Sequence, residues 1–299
     1  MYYLLSLLIG ILVAVMITVN GGLTTLYGVY SATVVIHIVG LLLISAIILF
    51  RREKPFAARH PWYLYIGGVL GVATTACTNY AFGKISVSAI LAISLFGQSV
   101  MGLLVDQFGL FKMRVHRFRA HQLPGLLLVV CGIGCMMIGS FQLLPVLAVF
   151  ASGVNLVVSR SFNARLAGNT SVYVSTFFNY VLGLATAIPV FLLLARGEPA
   201  LAGFSLSPNW WIYLGGAIGV VTVWLSNVVV VKIPALYITL LMFVGQVFTG
   251  VALDTLLDGA FSPQNLIGGL FVAVGLTLNL FFERRASRRS AALMQKSAR

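Results

Sequence analysis

The chain has 299 residues, of which 60% are hydrophobic and 8% charged, against roughly 45–50% and about 25% in soluble domains. A mean hydropathy of +1.03 over this length excludes a globular domain hung on a single anchor, because such a domain would dilute the average. The net charge of +13 does not point to nucleic acid, since the basic residues lie in short connections and at the chain end rather than on one face.

Apolar runs of about 20 residues match the hydrocarbon thickness of a bilayer at 1.5 Å rise per residue. The first, Met1 to Gly22, lacks the basic start of a signal peptide and outruns the usual h-region, so it reads as a retained helix. The runs fall at roughly 3–24, 31–50, 62–83, 85–106, 122–140, 143–163, 172–195, 210–230, 233–256 and 264–282. That predicts an all-α integral membrane protein of ten transmembrane helices. Cys77, Cys131 and Cys135 sit inside these runs and read as small packing residues, with no disulfide or metal framework and no cofactor implied.

Lys and Arg accumulate on the cytoplasmic side of membrane proteins. Alternate connections hold Arg51, Arg52, Lys54 and Arg59, then Lys112, Arg114, Arg117 and Arg119, then Arg160 and Arg165 at a helix end, then Lys232, then the tail. Of the 19 basic residues only Lys84 and Arg196 fall on the opposite side. Both termini are therefore expected in the cytoplasm. The tail, 286–299, is read as a solvated topology anchor that also suits contact with anionic membrane lipids.

Sliding the chain against itself exposes a repeat. At an offset of 143 residues Asn20, Leu23, His37 and Gly40 meet Asn163, Leu166, Tyr180 and Gly183. At 148, Trp62, Tyr65, Gly67, Gly68 and Gly71 meet Trp210, Tyr213, Gly215, Gly216 and Gly219. Thr74, Asn79, Lys84, Gly97, Gln98, Gly102 and Asp106 then meet Thr222, Asn227, Lys232, Gly245, Gln246, Gly250 and Asp254. Gly125 and Gly132 pair with Gly268 and Gly275. The expected units are 1–141 and 142–285, five spans each. Five is odd, so the second copy enters from the other side, and the repeats are inverted, as alternating-access carriers require.

These residues, with the Gly10-to-Asn20 pattern ending the first helix, Gly67-Gly68-Val69-Leu70-Gly71 and Gly97-Gln98 with Asp106, resemble the drug/metabolite transporter superfamily, in particular its YdcZ-like branch related to EamA transporters. The resemblance covers nearly the whole chain, which looks like two fused copies of a unit that many YdcZ-like proteins carry singly. It implies a ten-helix transporter of the bacterial inner membrane and an exporting role, and it implies little about the substrate.

Intramembrane polar residues are costly and face a bundle interior or cavity. Gln98 lies about 13 residues into a helix of roughly 22, and Gln246 holds the same place in the other half, so both sit near the midplane. An amide both donates and accepts, which suits a polar or amphipathic small molecule; an interhelical bond beside small glycines is the competing reading. Phe96, Phe243 and the mid-helix Trp224 are candidates to line the same cavity. Asn20, Asn79 and Lys84 fall toward one face and their partners Asn163, Asn227 and Lys232 toward the other, as gate elements would, although a boundary lysine also snorkels. Asp106 and Asp254 end the fourth and ninth helices, where a Lys, an Arg or a helix amino terminus is a natural partner. Gly67, Gly71, Gly215 and Gly219 read as close-packing positions.

No carboxylate lies near a midplane to bind a coupling proton. His37, about 9 Å below the outer surface, is the embedded side chain whose ordinary pKa lies near neutrality, while its partner Tyr180 has no such chemistry; a hydrogen-bonded packing role competes with proton coupling. Gly83-Lys84-Ile85-Ser86 lacks the upstream glycine and following hydroxyl of a phosphate loop, and Asn169-Thr170-Ser171 lies on the expected cytoplasmic side, where no glycan is added. An embedded enzyme needs convergent nucleophiles, acids or metal ligands, which this chain does not supply. A secondary transporter of a small molecule is the favoured reading, with a channel or lipid scramblase as the alternative. Oligomeric state stays open between monomer and homodimer.

Overall fold

The computed structural model describes residues 1–57, 59–110, 123–139, 141–203, 205–230, 235–259 and 261–297, and among these all side chains except 106, 227, 230, 235–240, 258, 280 and 283–297. Asp106, Asn227 and Lys232 thus lie outside what is described of side chains. The described residues form ten long helices: α1 Tyr2–Tyr27, α2 Val29–Arg51, α3 Ile66–Ala81, α4 Val87–Phe108, α5 Leu123–Met136, α6 Leu143–Asn169, α7 Val172–Leu194, α8 Gly215–Val230, α9 Ala235–Asp258 and α10 Pro263–Ser297. Matching 3-10 turns, Trp62–Tyr65 and Trp210–Leu214, lead into the repeat partners α3 and α8.

Five segments, Tyr2–Tyr27, Val29–Arg51, Val87–Val105, Leu143–Asn169 and Val172–Leu194, have the length and apolarity to cross a membrane; Leu123–Met136, Trp210–Ser226 and Leu241–Leu257 are shorter apolar helices. Boundaries follow local chemistry. Ser86 and Ser171 are amino-terminal caps whose hydroxyl oxygens accept the Ala89 and Val174 N–H, each at 3.2 Å. Gly109, at φ 60, ends α4 in the left-handed conformation that glycine adopts without strain. Two ends differ from the apolar pattern. Helix α6 continues past residue 163 to Asn169, and α10 runs on through the basic tail to Ser297.

Glycines set the packing, and their contacts are reciprocal between the halves. Gly97 of α4 lies against Gly153 of α6, and at the repeat-related crossing Gly245 of α9 lies against Gly10 of α1. The side-chain-free surface lets the backbones approach: a Cβ on Gly245 would stand 2.5 Å from the Leu7 carbonyl. Helices that are each other's repeat partners run antiparallel. His37 of α2 meets Gly183 of α7, while Tyr180 meets Gly40. A Cβ on Gly125 of α5 would stand 2.5 Å from the Gly275 carbonyl of α10, and one on Gly132 2.5 Å from that of Gly268. A two-fold operation that makes each helix antiparallel to its own counterpart has its axis across the helices, not along them.

One apolar cluster gathers residues of α1, α4, α6 and α9, including Ile17, Leu95, Val149 and Val247, with Phe96, Phe150 and Phe243 packed against it. The two glutamines lie on helices of this cluster.

Candidate functional site

Gln98 is the residue after the Gly97–Gly153 crossing. It is half-buried; its Nε2 donates to Ser94 Oγ at 3.4 Å, and its Oε1 accepts from Arg160 Nη1 at 3.2 Å. Sequence reasoning placed Arg160 at a helix end, and the structure corrects this, because α6 continues nine residues further, to Asn169. A helical side chain leans toward the amino terminus of its own helix, which aims the Arg160 guanidinium back at the glutamine. The signal that could have exposed it is the repeat itself: 143 residues earlier stands Ile17, a buried apolar residue, so one half carries a charge where the other carries a hydrocarbon.

Gln246 occupies the equivalent place after Gly245, at the crossing with Gly10, and is 5% exposed. The amides do not bond to each other, and among the described residues Gln246 has no hydrogen-bond partner. Phe96 packs on Phe150 with ring centroids 5.7 Å apart, and Phe243 packs on the same cluster. Trp224 is drawn elsewhere: its indole donates to the Tyr173 hydroxyl at 3.0 Å, beside Arg51, whose guanidinium lies 4.6 Å over the Tyr173 ring.

The two ends of the bundle are related by the repeat but are not equal. At the Lys84 end, Asp254 is buried and accepts the N–H groups of Val87 at 2.5 Å and Ser88 at 3.0 Å, together with Asn265 Nδ2 at 3.2 Å. These are the first amides of α4, which have no intrahelical acceptor and carry the positive end of its dipole. Gly250, one turn before Asp254, is tight against α4, since a Cβ there would lie 3.0 Å from Ser88 Cα. Its repeat partner Gly102, toward the other end of α4, has nothing within 4 Å among the described residues.

The same inequality holds for the carboxylates that follow α2 and α7. Glu198 accepts the N–H of Tyr30 at 2.7 Å, the N–H of Ser31 at 2.9 Å and the Ser31 hydroxyl at 2.6 Å, which caps α2. At the other end Glu53 accepts one bond, from the Ser171 hydroxyl of the α7 cap, at 3.2 Å. At the Lys84 end Tyr27 and Tyr213 are also hydrogen-bonded to each other, and both accept the Ser207 N–H. Neither Glu198 nor this tyrosine pair is visible in local sequence, because the partners are more than 160 residues apart. Lys84 itself is exposed, with its ammonium over the Tyr80 ring at 3.2 Å. It lines a cavity of about 450 Å³ with Phe82, Ser86, Asp254, Gln264 and Asn265.

The paired asparagines sit against paired glycines. Asn163 Oδ1 faces Gly67 and Asn20 Oδ1 faces Gly215. Asn163 also donates to Asn179 Oδ1 at 2.9 Å, whereas the residue equivalent to Asn179 in the other half is Ile36, and among the described residues the buried Oδ1 of Asn20 has no partner. Asn79 is buried and donates to Thr33 Oγ1 at 3.4 Å. His37 is 3% exposed, its Nδ1 is 2.8 Å from the Thr33 carbonyl, and its ring is 5.9 Å from that of Tyr180. Tyr180 donates to the Gly216 carbonyl at 3.0 Å and covers Gly219. Gly71 lies 3.8 Å, measured from a notional Cβ, from Asn179 Oδ1. Both aromatic partners therefore fill the α2–α7 seam.

Comparison with known proteins agrees with the duplicated architecture. The sequence profile of a family described as "Putative inner membrane exporter, YdcZ" matches residues 1–135 and again residues 144–278. No curated protein matches the chain. Fourteen chains of solved structures do; one, described as "Crystal structure of protein", is 19% identical, with 95% of this chain and 97% of that one covered at a TM-score of 0.61, a likeness of fold alone. The chain belongs to the YdcZ family of inner membrane exporters within the drug/metabolite transporters, with two copies of the family unit fused in one polypeptide.

Proposed function

We propose that the protein is a secondary carrier that exports a small metabolite or amphipathic compound across the inner membrane by alternating access, with Gln98 and Gln246 at the central site. The inequality of the two related ends carries this reading. Two inverted copies give two conformations that are near mirror images. A contact made at one end and missing at its counterpart is then what distinguishes one conformation from the other. Glu198 is engaged by three donors, while its counterpart Glu53 holds one bond.

The distribution of Lys and Arg supports assigning the Lys84 end to the outside and both termini to the cytoplasm. On that assignment the conformation is closed outward, and the centre is reached from the cytoplasm, as loading for export requires. Asn20, Asn79 and Lys84, and opposite them Asn163, Asn227 and Lys232, are assigned to the two gates.

The test is flux in vesicles. A thermal-shift screen of the purified chain identifies a solute, and reconstituted protein then shows saturable uptake and counterflow of it. A pore or scramblase shows neither. Gln98→Ala and Gln246→Ala each weaken the solute's affinity; unchanged affinity in both removes the glutamines from the site.

A further inference from the structure

We infer that the substrate is an organic anion, held by its acidic group between Arg160 and Gln98 with its apolar body against the Ile17 side of the centre. The inference rests on the carrier reading above and adds the chemical class of what is carried.

An arginine at the centre of a membrane helix is costly, and such charges are found paired or facing a cavity. Arg160 stands beside the twelfth residue of the 22-residue helix α4. Of its five N–H donors, one bonds the neutral amide of Gln98, and among the described residues no carboxylate pairs with it. Arg160 is exposed as a residue. An uncompensated, accessible guanidinium with its fork free is built for a carboxylate or phosphate, and Gln98 holds it in place without neutralising it.

Its opposite number gives the rest of the ligand. The repeat puts Ile17, buried in the apolar cluster with Phe96, Phe150 and Phe243 packed nearby, where a second arginine would stand. The centre thus has one guanidinium where symmetry would give two, with aromatic rings of α4, α6 and α9 packed on the adjoining cluster, which favours one acidic group on an apolar body over a dianion or a uniformly polar solute. An anionic lipid and a soluble acid share this chemistry.

The probes are phenylacetate, phenyl phosphate and the isosteric neutral phenylacetamide, titrated against the full chain in vesicles of phosphatidylcholine and followed by tryptophan fluorescence. The acids are expected to bind roughly 10- to 100-fold more tightly than the amide. Arg160→Gln brings the acids down to the level of the amide and leaves the amide unchanged, which also reports that the variant is folded; Arg160→Lys retains part of the preference. Equal binding of acid and amide by the unmodified protein overturns the inference whether or not Arg160→Gln folds, as does weak binding of both acids, or an Arg160→Gln loss shared equally by acid and amide. Vesicles with added phosphatidylglycerol separate the sources: competition with phenylacetate marks a lipid occupant, and its absence a soluble one, the anion site standing in both cases. Counterflow of a neutral solute without acid preference ends this inference and leaves the carrier; acid preference without counterflow ends the carrier and leaves the site.

Discussion

Asp254, near the end of α9, accepts the Val87 N–H at the start of α4 at 2.5 Å, although the two residues are 167 apart in the chain. The bond joins one half of the repeat to the other at a helix terminus. It combines two favourable effects, an acceptor for amides that have none and a negative charge at the positive end of a dipole. On the proposed alternating-access cycle, it is a bond that opening of this end would break.

Asp254→Asn keeps an acceptor and removes the charge, so the closed outer end should lose about 1–2 kcal/mol. Thermal unfolding of the purified protein is expected to drop by about 2–4 °C, and a thiol placed at Ser88 should become more reactive to a membrane-impermeant maleimide. Stability and reactivity both equal to those of the unmodified protein would show that the bond holds nothing.

Gly102 and Gly250 are repeat partners, and among the described residues only Gly250 has a close neighbour. Gly250→Leu collides with Ser88 and Leu91 of α4 and should cost roughly 1–3 kcal/mol. Among the described residues nothing lies within 4 Å of a notional Cβ at Gly102, and Gly102→Leu should stop turnover, because on the proposed cycle closure of that end requires the approach Gly250 now makes. The check is the unfolding temperature alongside vesicle flux. Normal flux in Gly102→Leu would mean that this end never closes.

The apolar runs and the two halves were legible in the sequence, because apolar length and recurring small residues are local signals, but the close-packing positions read there were Gly67, Gly71, Gly215 and Gly219, not the Gly97–Gly153 and Gly10–Gly245 crossings. Gly97 and Gly245 recurred at one offset beside the glutamines, a match that by itself named no partner helix. Arg160 was hidden by the very rule that orients the chain: a basic residue near a cytoplasmic boundary counts toward topology, and nothing in Ser161-Phe162-Asn163 marks a helix end or its absence. Glu198 and Tyr213 were hidden because their partners lie on α2 and α1, far away in sequence. Asp254 had three kinds of partner open to it, and packing of Gly250 against α4 selects the helix terminus.

His37 is buried in the α2–α7 seam with Nδ1 on the Thr33 carbonyl, a position suited to packing. Transport by His37→Gln is expected to retain its full response to a pH gradient imposed across the vesicle membrane. Loss of that response, with flux otherwise preserved, would make the imidazole the coupling group.

Asn179→Ile installs at the inner end the residue that Ile36 supplies at the outer one. It removes the 2.9 Å bond from Asn163 and should cost roughly 0.6 kcal/mol, the mean for interhelical bonds in membranes. The reading is a fall in unfolding temperature smaller than that of Asp254→Asn; a larger fall would indicate that the Asn163–Asn179 pair within the second half outweighs the Asp254 cap between the halves.

The most direct measurement is reciprocal accessibility. Single thiols at Ser88 and Gly102, in a background free of Cys77, Cys131 and Cys135, are labelled from each side of the membrane with and without Asp254→Asn. Alternating access predicts that the substitution raises outside labelling at Ser88 and lowers inside labelling at Gly102 together. Labelling of both sites that rises together, or a change at one site with none at the other, contradicts it.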